Sequence, residues 1–145
     1  MLLATAALLI AVSAAEAACT ITTTAVSFGS YNVFAGSADD ATGQITYRCT
    51  GPRPPFITIH LDKGGSPSFS PRQMRRGSET LSYNLYLDST RATIWGDGTG
   101  GTQVYSRANP PNGRNIILSV FGRIPAGQDV SAGAYSATVT ATIFF

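Results

Sequence analysis

Charged side chains are scarce in this sequence. Aspartate, glutamate, lysine and arginine together make up 12% of the 145 residues, about half the share that is usual in a soluble protein. Serine, threonine and glycine supply the polarity instead, which is typical of secreted β proteins. The one dense cluster of cations, Arg72, Arg75 and Arg76, is interpreted as a solvated loop. A nucleic-acid-binding protein would show a basic stripe with interleaved aromatic residues, so no nucleic-acid partner is expected.

Histidine and cysteine are also rare. The single histidine, His60, lies in the polar phase of an alternating segment between Ile59 and Leu61. This position favours a solvent-facing strand residue over a member of a catalytic triad. The only two cysteines, Cys19 and Cys49, leave too few ligands for a zinc site. We therefore expect no metal, no cofactor and no enzymatic activity.

Three other features carry possible chemistry, and each has a simpler interpretation. Asp39 and Asp40 form a carboxylate pair, but the glycine and serine residues around them predict a solvated loop. Asp97 lies in a glycine-rich stretch without the further acidic residues that a calcium site needs, which predicts a turn. Trp95 and two tyrosines could stack on a sugar, but we expect Trp95 to pack over an edge of the core.

The first 17 residues predict a signal peptide. Residues 2–13 contain no charge and have the length of a signal-peptide apolar core. This run is too short to cross a bilayer as a helix. The Ala-Glu-Ala sequence at residues 15–17 matches the small-x-small pattern of a cleavage site, which places the mature domain at residues 18–145. We expect export through the periplasm to the cell surface, with no membrane span once the leader is removed.

Export has a consequence for the two cysteines. In an oxidising compartment an even cysteine count implies a disulfide. With only Cys19 and Cys49 available, a single pairing exists. A bridge that closes a loop of about 30 residues is expected to stabilise the fold by about 3–4 kcal/mol.

Apolar and polar residues repeatedly alternate with a period of two along the mature chain. No apolar stripe of helical period persists over three turns, so the pattern predicts an all-β sandwich. The polarity of residues 63–79 predicts a long connection. The predicted strands are residues 19–28 (with a change of phase near Thr23), 43–49, 57–61, 81–87, 103–106, 115–121 and 135–145. Of these, residues 115–121 are apolar on both faces, as in a central strand.

The last strand has the clearest alternation. Its apolar face carries Tyr135, Ala137, Val139, Ala141, Ile143 and Phe145, and its other face carries serine and threonine. No further strand follows it in the sequence, and natural proteins avoid leaving such an edge uncovered. Two arrangements fit this pattern. Either another polypeptide adds a strand by β-augmentation, or the first strand of the same chain covers the edge.

Several motifs resemble, in the same order, those of the spore coat protein U domain family, which includes the pilin subunits of archaic chaperone–usher pili. The resemblance covers essentially the whole mature chain. The motifs are V-S-F-G-S-Y at 26–31, G-Q-I-T-Y-R-C at 43–49, L-S-Y-N-L-Y at 81–86, W-G-D-G-T at 95–99, G-R-I-P-A-G-Q at 122–128 and A-G-A-Y-S at 132–136.

The resemblance implies an immunoglobulin-like antiparallel β-sandwich that is incomplete, lacking its final strand, and that carries the Cys19–Cys49 disulfide. In such families a periplasmic chaperone lends the missing strand, and at an outer-membrane usher the next subunit replaces it. The C-terminal strand, residues 135–145, would then form one wall of the acceptor groove. The implied function is a structural or adhesive subunit of a pilus or coat, active in cell adhesion and biofilm formation and completed by donor-strand exchange.

One departure from the family concerns the N terminus. A polymerising subunit needs a donor segment before its first cysteine, whereas the predicted mature chain has only Ala18 before Cys19. Two explanations fit this departure. Either the subunit accepts a strand without donating one, at the tip of a fibre or on a coat, or the start site is wrongly assigned and a donor segment is missing. The alternative is a self-complete secreted coat domain or carbohydrate-binding β-sandwich, which would be a stable monomer.

Overall fold

A computed structural model describes residues 15–145 of the chain, so most of the predicted signal peptide lies outside the described residues. The described part forms eight strands. They are β1 (Ala18–Thr24), β2 (Asp39–Thr50), β3 (Phe56–Leu61), β4 (Arg72–Arg76), β5 (Glu79–Tyr86), β6 (Tyr105–Ala108), β7 (Ile116–Ile124) and β8 (Ala141–Phe144). Within these described residues no helix has the length and hydropathy of a bilayer span.

The strands build two antiparallel sheets. The larger sheet has the order β1-β2-β7-β5-β4, and the smaller sheet has the order β6-β3-β8. Every strand pair is antiparallel, which confirms the predicted all-β antiparallel fold. The position of β7 between β2 and β5 agrees with its prediction as a central strand. Only one of its faces is covered, however, because Ile117 on the outer face is 61% exposed.

The core lies between the inner faces of the two sheets. Alternate residues of β2, β3 and β5 point inward, because successive side chains of a strand lie on opposite faces of the sheet. This confirms the alternation predicted from the sequence. The buried hydrophobic residues of these three strands are Ile45, Tyr47, Cys49, Ile57, Ile59, Leu61, Leu81, Tyr83 and Leu85.

A disulfide fastens the edge strand β1 to the larger sheet. Cys19 lies directly opposite Cys49 in the β1–β2 register, and the two residues form the bond that the sequence predicted. Cys49 is fully buried. The bridge therefore connects an exposed edge of the sandwich directly to the core.

The segment between β3 and β5 differs from the prediction. The polarity of residues 63–79 predicted a long connection, but Arg72–Arg76 forms β4 and pairs with β5. The inward side chains of β4 are those of Arg72 and Met74, both of which are buried. The prediction of Arg72 as part of a solvated cluster is therefore wrong, whereas Arg75 and Arg76 are exposed as expected. The alternation is hidden in the sequence because one of the inward residues is an arginine.

Arg72 is tolerated in the core because its guanidinium group is hydrogen-bonded. Nη1 donates to Asn84 Oδ1 at 2.9 Å, and Nη2 donates to the Trp95 carbonyl oxygen at 2.7 Å. Nε and Nη2 both donate to the Asp62 carbonyl oxygen, at 3.0 and 2.9 Å. The guanidinium carbon lies 5.1 Å from the centre of the Phe69 ring. Burial lowers the pKa of Arg72 below its ordinary value, since an apolar environment disfavours the charged form.

Two further predictions are corrected by the structure. Asp39 and Asp40 begin β2 instead of lying in a loop. Asp40 is opposite Arg123 in the register, and the Arg123 Nε lies 2.7 Å from the Asp40 Oδ1, so a cross-strand ion pair offsets the low strand preference of aspartate.

Trp95 is not at an edge of the core but within it, 1% exposed, with its Nε1 donating to the Ile59 carbonyl oxygen at 2.9 Å. Because it is buried, Trp95 is not accessible to a sugar.

His60 and Asp97 lie as predicted. His60 is on the outer face of the smaller sheet, with its ring 4.6 Å from that of Phe144. Asp97 lies in a turn, where its Oδ1 accepts a hydrogen bond from the Thr99 backbone N–H at 2.9 Å. Among residues 15–145, no group of three or more potential metal ligands occurs.

Candidate functional site: an apolar groove at an open strand edge

A long groove opens over one side of the core. One wall is formed by residues 23–34, which continue from the end of β1, and the other by residues 130–141, which lead into β8. The volume between the walls is about 1110 Å³, slightly above the range of small-molecule pockets, which is about 300–1,000 Å³. The length of both walls suits an extended polypeptide better than a compact ligand. The floor consists of the core residues Ile45, Leu61, Met74, Leu81, Tyr83, Leu85, Val120 and Ile124.

The first wall is held by two glycines of the sheet beneath it. A Cβ atom at Gly122 would lie 2.6 Å from both Val26 and Phe28, and one at Gly43 would lie 2.8 Å from Val26. Both glycines therefore allow close approach of the wall to β2 and β7. The change of phase predicted near Thr23 corresponds to the end of β1 at Thr24. Beyond that point the chain leaves the strand.

Replacing Gly122 with alanine is expected to displace this wall and to lower the free energy of unfolding by about 1–3 kcal/mol, because the added methyl group overpacks the contact with Phe28. The matched control is Gly36→Ala, since a Cβ atom at Gly36 meets nothing within 4 Å. Urea denaturation of the two variants measures the difference. Equal stability of both would contradict the close packing of the wall.

The second wall passes from one sheet to the other. Ser136 and Arg75 exchange two backbone hydrogen bonds, of 2.9 and 3.2 Å, at the edge of β4. Further along, the Asp62 N–H donates to the Thr140 carbonyl oxygen at 3.0 Å, and β8 then pairs with β3. The regular strand is consequently shorter than the predicted residues 135–145, because the segment changes partner between these two edges.

The backbone of this wall has one paired edge and one open edge. In an antiparallel ladder, the N–H and C=O of one residue point to one neighbour and those of the next residue point to the opposite side. Because the Thr140 carbonyl oxygen bonds to Asp62, the backbone N–H and C=O groups of the even-numbered residues from 140 to 144 point toward β3. The odd-numbered residues from 139 to 143 direct their backbone groups to the other side. Within residues 15–145 no strand pairs with β8 on that side.

The structure brings together most of the residues that the sequence predicted for this wall. Tyr135, Ala137, Val139 and Ala141 line the groove. Ile143 is half-buried and packs against the core. Phe145 is 53% exposed and does not line the groove, so the alternating pattern extends further than the groove itself.

Gln128 has a role that the sequence did not reveal. Its side-chain amide donates to the Ser82 carbonyl oxygen at 2.9 Å, and its Oε1 accepts from the Ser82 N–H at 2.7 Å. The amide thereby pairs with β5 in the way that a neighbouring strand would. Tyr31 connects the first wall to the segment just before the second wall, because its hydroxyl donates to the Pro125 carbonyl oxygen at 2.9 Å and accepts from the Gln128 N–H at 3.1 Å.

Glu79 fastens the beginning of the second wall. Its carboxylate accepts hydrogen bonds from the Ser131 hydroxyl at 2.5 Å and the Tyr135 hydroxyl at 3.0 Å, and it pairs with Arg76 at 2.7 Å. The hydrogen bond from Ser131, followed by that from Tyr135, lowers the pKa of Glu79 below its ordinary value. A carboxylate whose pKa is lower in the folded state stabilises the fold above the unfolded-state pKa, and this contribution is lost as the pH falls through the folded-state value.

Acid is therefore expected to weaken the wild-type protein more than the variant Glu79→Gln, which has no carboxylate at this position. The measurement is the urea midpoint of both proteins at pH 7 and at pH 3. The remaining carboxylates are common to both proteins. The difference between the two acid-induced shifts of the urea midpoint therefore gives the contribution of the Glu79 carboxylate. Identical shifts would show that the Glu79 cluster does not contribute to the acid response.

Two antiparallel sheets around one core, with an interstrand disulfide, define an immunoglobulin-like β-sandwich, here with a groove along an open edge. The sequence model of the Spore Coat Protein U domain matches residues 4–142. The chain belongs to this family, which confirms the predicted resemblance.

One relative agrees with this family assignment, and one solved structure agrees with the fold. Protein U of Myxococcus xanthus is 34% identical over 110 residues, which cover 72% of this chain and 59% of that protein. The chain thus spans somewhat more than half the length of that relative. The fold is also similar to the crystal structure of the CsuC–CsuE chaperone–tip adhesion subunit pre-assembly complex from the archaic chaperone–usher Csu pili of Acinetobacter baumannii. The TM-score is 0.64, with 21% identity, over 90% of this chain and 40% of that one.

Proposed function

We propose that this chain is a structural subunit of a bacterial surface assembly, a pilus or a coat, and that a β-strand from another polypeptide fills the groove. The supporting observation is the apolar groove beside the open edge of residues 139–143. An added strand would pair with these free backbone groups and place alternate side chains over the apolar floor. Its binding would also remove an exposed strand edge, which otherwise promotes aggregation.

The family and the fold extend this proposal to partners and location. The family is named for a coat protein, and the solved structure of similar fold contains a chaperone bound to a pilus subunit. We therefore propose a periplasmic chaperone, an outer-membrane usher and further subunits as partners, and an adhesive role at the tip of a fibre or on a coat. Residues 1–17 would direct export as a signal peptide, and residues 18–145 would form the mature domain. This function is structural and needs no catalytic residues.

The groove residues proposed to contact the added strand are those of the second wall. Tyr135, Ala137, Val139 and Ala141 line the groove directly. Ile143 and Phe145 would extend the contact along β8. Chaperone binding and donor-strand exchange would use the same edge in succession.

A second function is favoured by the packing of the first wall. Val26 and Phe28 already lie against the sheet, and so they cover part of the core without a partner. This observation fits a self-complete secreted coat or carbohydrate-binding domain. Thermal unfolding of the oxidised protein, alone and with a chaperone of the archaic chaperone–usher class, separates the two functions. A subunit that needs a partner is expected to aggregate or melt at low temperature alone and to be rescued by the chaperone, whereas a complete domain would ignore it.

Proline substitutions test the open edge directly. Ala141→Pro removes an N–H group that faces the open edge, where proline is tolerated. It is expected to prevent complex formation with the chaperone while changing the free energy of unfolding by no more than about 1 kcal/mol. Thr142→Pro removes an N–H group that faces β3 and is expected to cost about 1–3 kcal/mol, because a hydrogen bond of the ladder between β3 and β8 is lost.

Size-exclusion chromatography with the chaperone and urea denaturation measure the two effects. Undiminished chaperone binding by a folded Ala141→Pro protein would argue strongly against strand addition at this edge.

A further inference from the structure

A second, polar cleft lies at the other end of the sandwich. It is about 450 Å³ in volume and shares no residue with the groove. It is formed by the loop after β2 and the loop before β7, next to the last residues of β2, whereas the groove reaches β2 at residues 44–45. The residues that line the cleft are Arg53, Asn109, Pro111, Asn112 and Arg114.

The two loops of the cleft are held in place by the core. The Asn112 Nδ2 donates to the Gly51 carbonyl oxygen at 2.7 Å, which connects one loop to the other. The Gly113 N–H donates to the carbonyl oxygen of the disulfide residue Cys49 at 2.8 Å. Pro110 is fully buried. The cleft is therefore formed before any ligand arrives, which reduces the entropic cost of binding.

The cationic groups of the cleft have no carboxylate partner in the described part of the chain. The ion pairs among residues 15–145 involve other arginines, not Arg53 or Arg114. Both side chains are exposed. Glu16 approaches this end through its backbone, beside Gly51, but it would leave with the proposed signal peptide. The mature domain would thus present two free guanidinium groups across one cleft.

We infer that this cleft, lined by Arg53, Arg114, Asn109 and Asn112, binds the acidic groups of an anionic polysaccharide. Guanidinium groups form paired, charge-assisted hydrogen bonds with carboxylates and sulfates. Side-chain amides donate and accept hydrogen bonds, as sugar hydroxyls require. Among residues 15–145, no aromatic residue lines the cleft, which disfavours single-stranded nucleic acid because its bases bind by stacking. Within the same residues no large aliphatic side chain lines the cleft, so insertion into a lipid surface is not supported.

This inference goes beyond the proposed function, because the cleft remains accessible when the groove is filled. A subunit completed by an added strand would still contact the polysaccharide of a surface or coat. Loss of binding at the cleft would leave strand addition unchanged, so the two proposals fail independently.

The test compares binding of the oxidised chain to polygalacturonate, dextran sulfate, neutral dextran and anionic phosphatidylglycerol vesicles. The double variant Arg53→Gln/Arg114→Gln is expected to bind the two anionic polysaccharides about tenfold more weakly or worse, since it loses several charge-assisted hydrogen bonds. The matched control Lys63→Gln/Arg75→Gln also removes two positive charges, but from exposed positions outside the cleft. It is expected to stay within about twofold of wild type, because distant exposed charges are screened.

Equal losses in both double variants would overturn the inference, because binding would then depend on net charge alone. Binding of wild type only to vesicles, or equally to neutral dextran, would overturn it as well. Circular dichroism checks that the variants are folded. The single variant Arg114→Gln serves as a second test if the double variant does not fold, and it too must bind more weakly than wild type.

Discussion

Replacing Arg72 with alanine is expected to lower the free energy of unfolding by about 3–5 kcal/mol, more than any other single change considered for this protein. The substitution leaves a cavity in the core and removes the donors to the Asp62 and Trp95 carbonyl oxygens and to Asn84. Buried acceptors without partners cost about 1–3 kcal/mol each. Urea denaturation measures the effect, with the exposed Arg75→Ala on the same strand as control, expected within about 0.5 kcal/mol of wild type.

The variant Arg72→Met separates packing from hydrogen bonding. Methionine refills much of the volume but donates no hydrogen bond. If the hydrogen bonds of Arg72 account for most of its effect, the free energy of unfolding of the Arg72→Met protein should stay close to that of the alanine variant. A methionine variant as stable as wild type would show that Arg72 contributes only by filling space. That result would be consistent with other proteins in which apolar residues replaced buried charged networks without loss.

Removing the disulfide with Cys19→Ser/Cys49→Ser is expected to lower the free energy of unfolding by about 3–4 kcal/mol, because the bridge spans 30 residues and restricts the unfolded chain. Reduction of the wild-type protein with dithiothreitol is the matched measurement, since it opens the same loop without changing the sequence. Both treatments should shift the urea midpoint by a similar amount. A much smaller shift on reduction than on substitution would assign the loss to serine in the buried position of Cys49.

The disulfide also contacts both regions for which a function is proposed. It fastens β1, which continues into the first wall of the groove, and Cys49 accepts the hydrogen bond that holds one loop of the polar cleft. Loss of the bridge is therefore expected to disturb both regions together. The variants Ala141→Pro and Arg53→Gln/Arg114→Gln, by contrast, would each affect one region only.

The strands that could be predicted from the sequence are those whose apolar residues recur at every second position. Residues 43–49 and 57–61 are examples, and each lies within a strand with its apolar side buried. A period of two specifies which face of a strand is apolar without reference to any distant residue. The same reasoning predicted a strand at residues 135–145, of which residues 135–141 lie in the second wall of the groove.

The sequence by itself determined the all-β class, the disulfide, the inward rows and the family, since these follow from local periodicity, cysteine count and motifs. Only the tertiary structure decided which side chain meets which. The partners of Arg72 lie up to 23 positions away, Ser82 is 46 positions from Gln128, and Ser131 is 52 from Glu79. Alternation carries no information about such distant partners. For this reason three features could be identified only from the tertiary structure. They are the arginine in the core, the amide that pairs with a strand, and the cationic cleft between two loops.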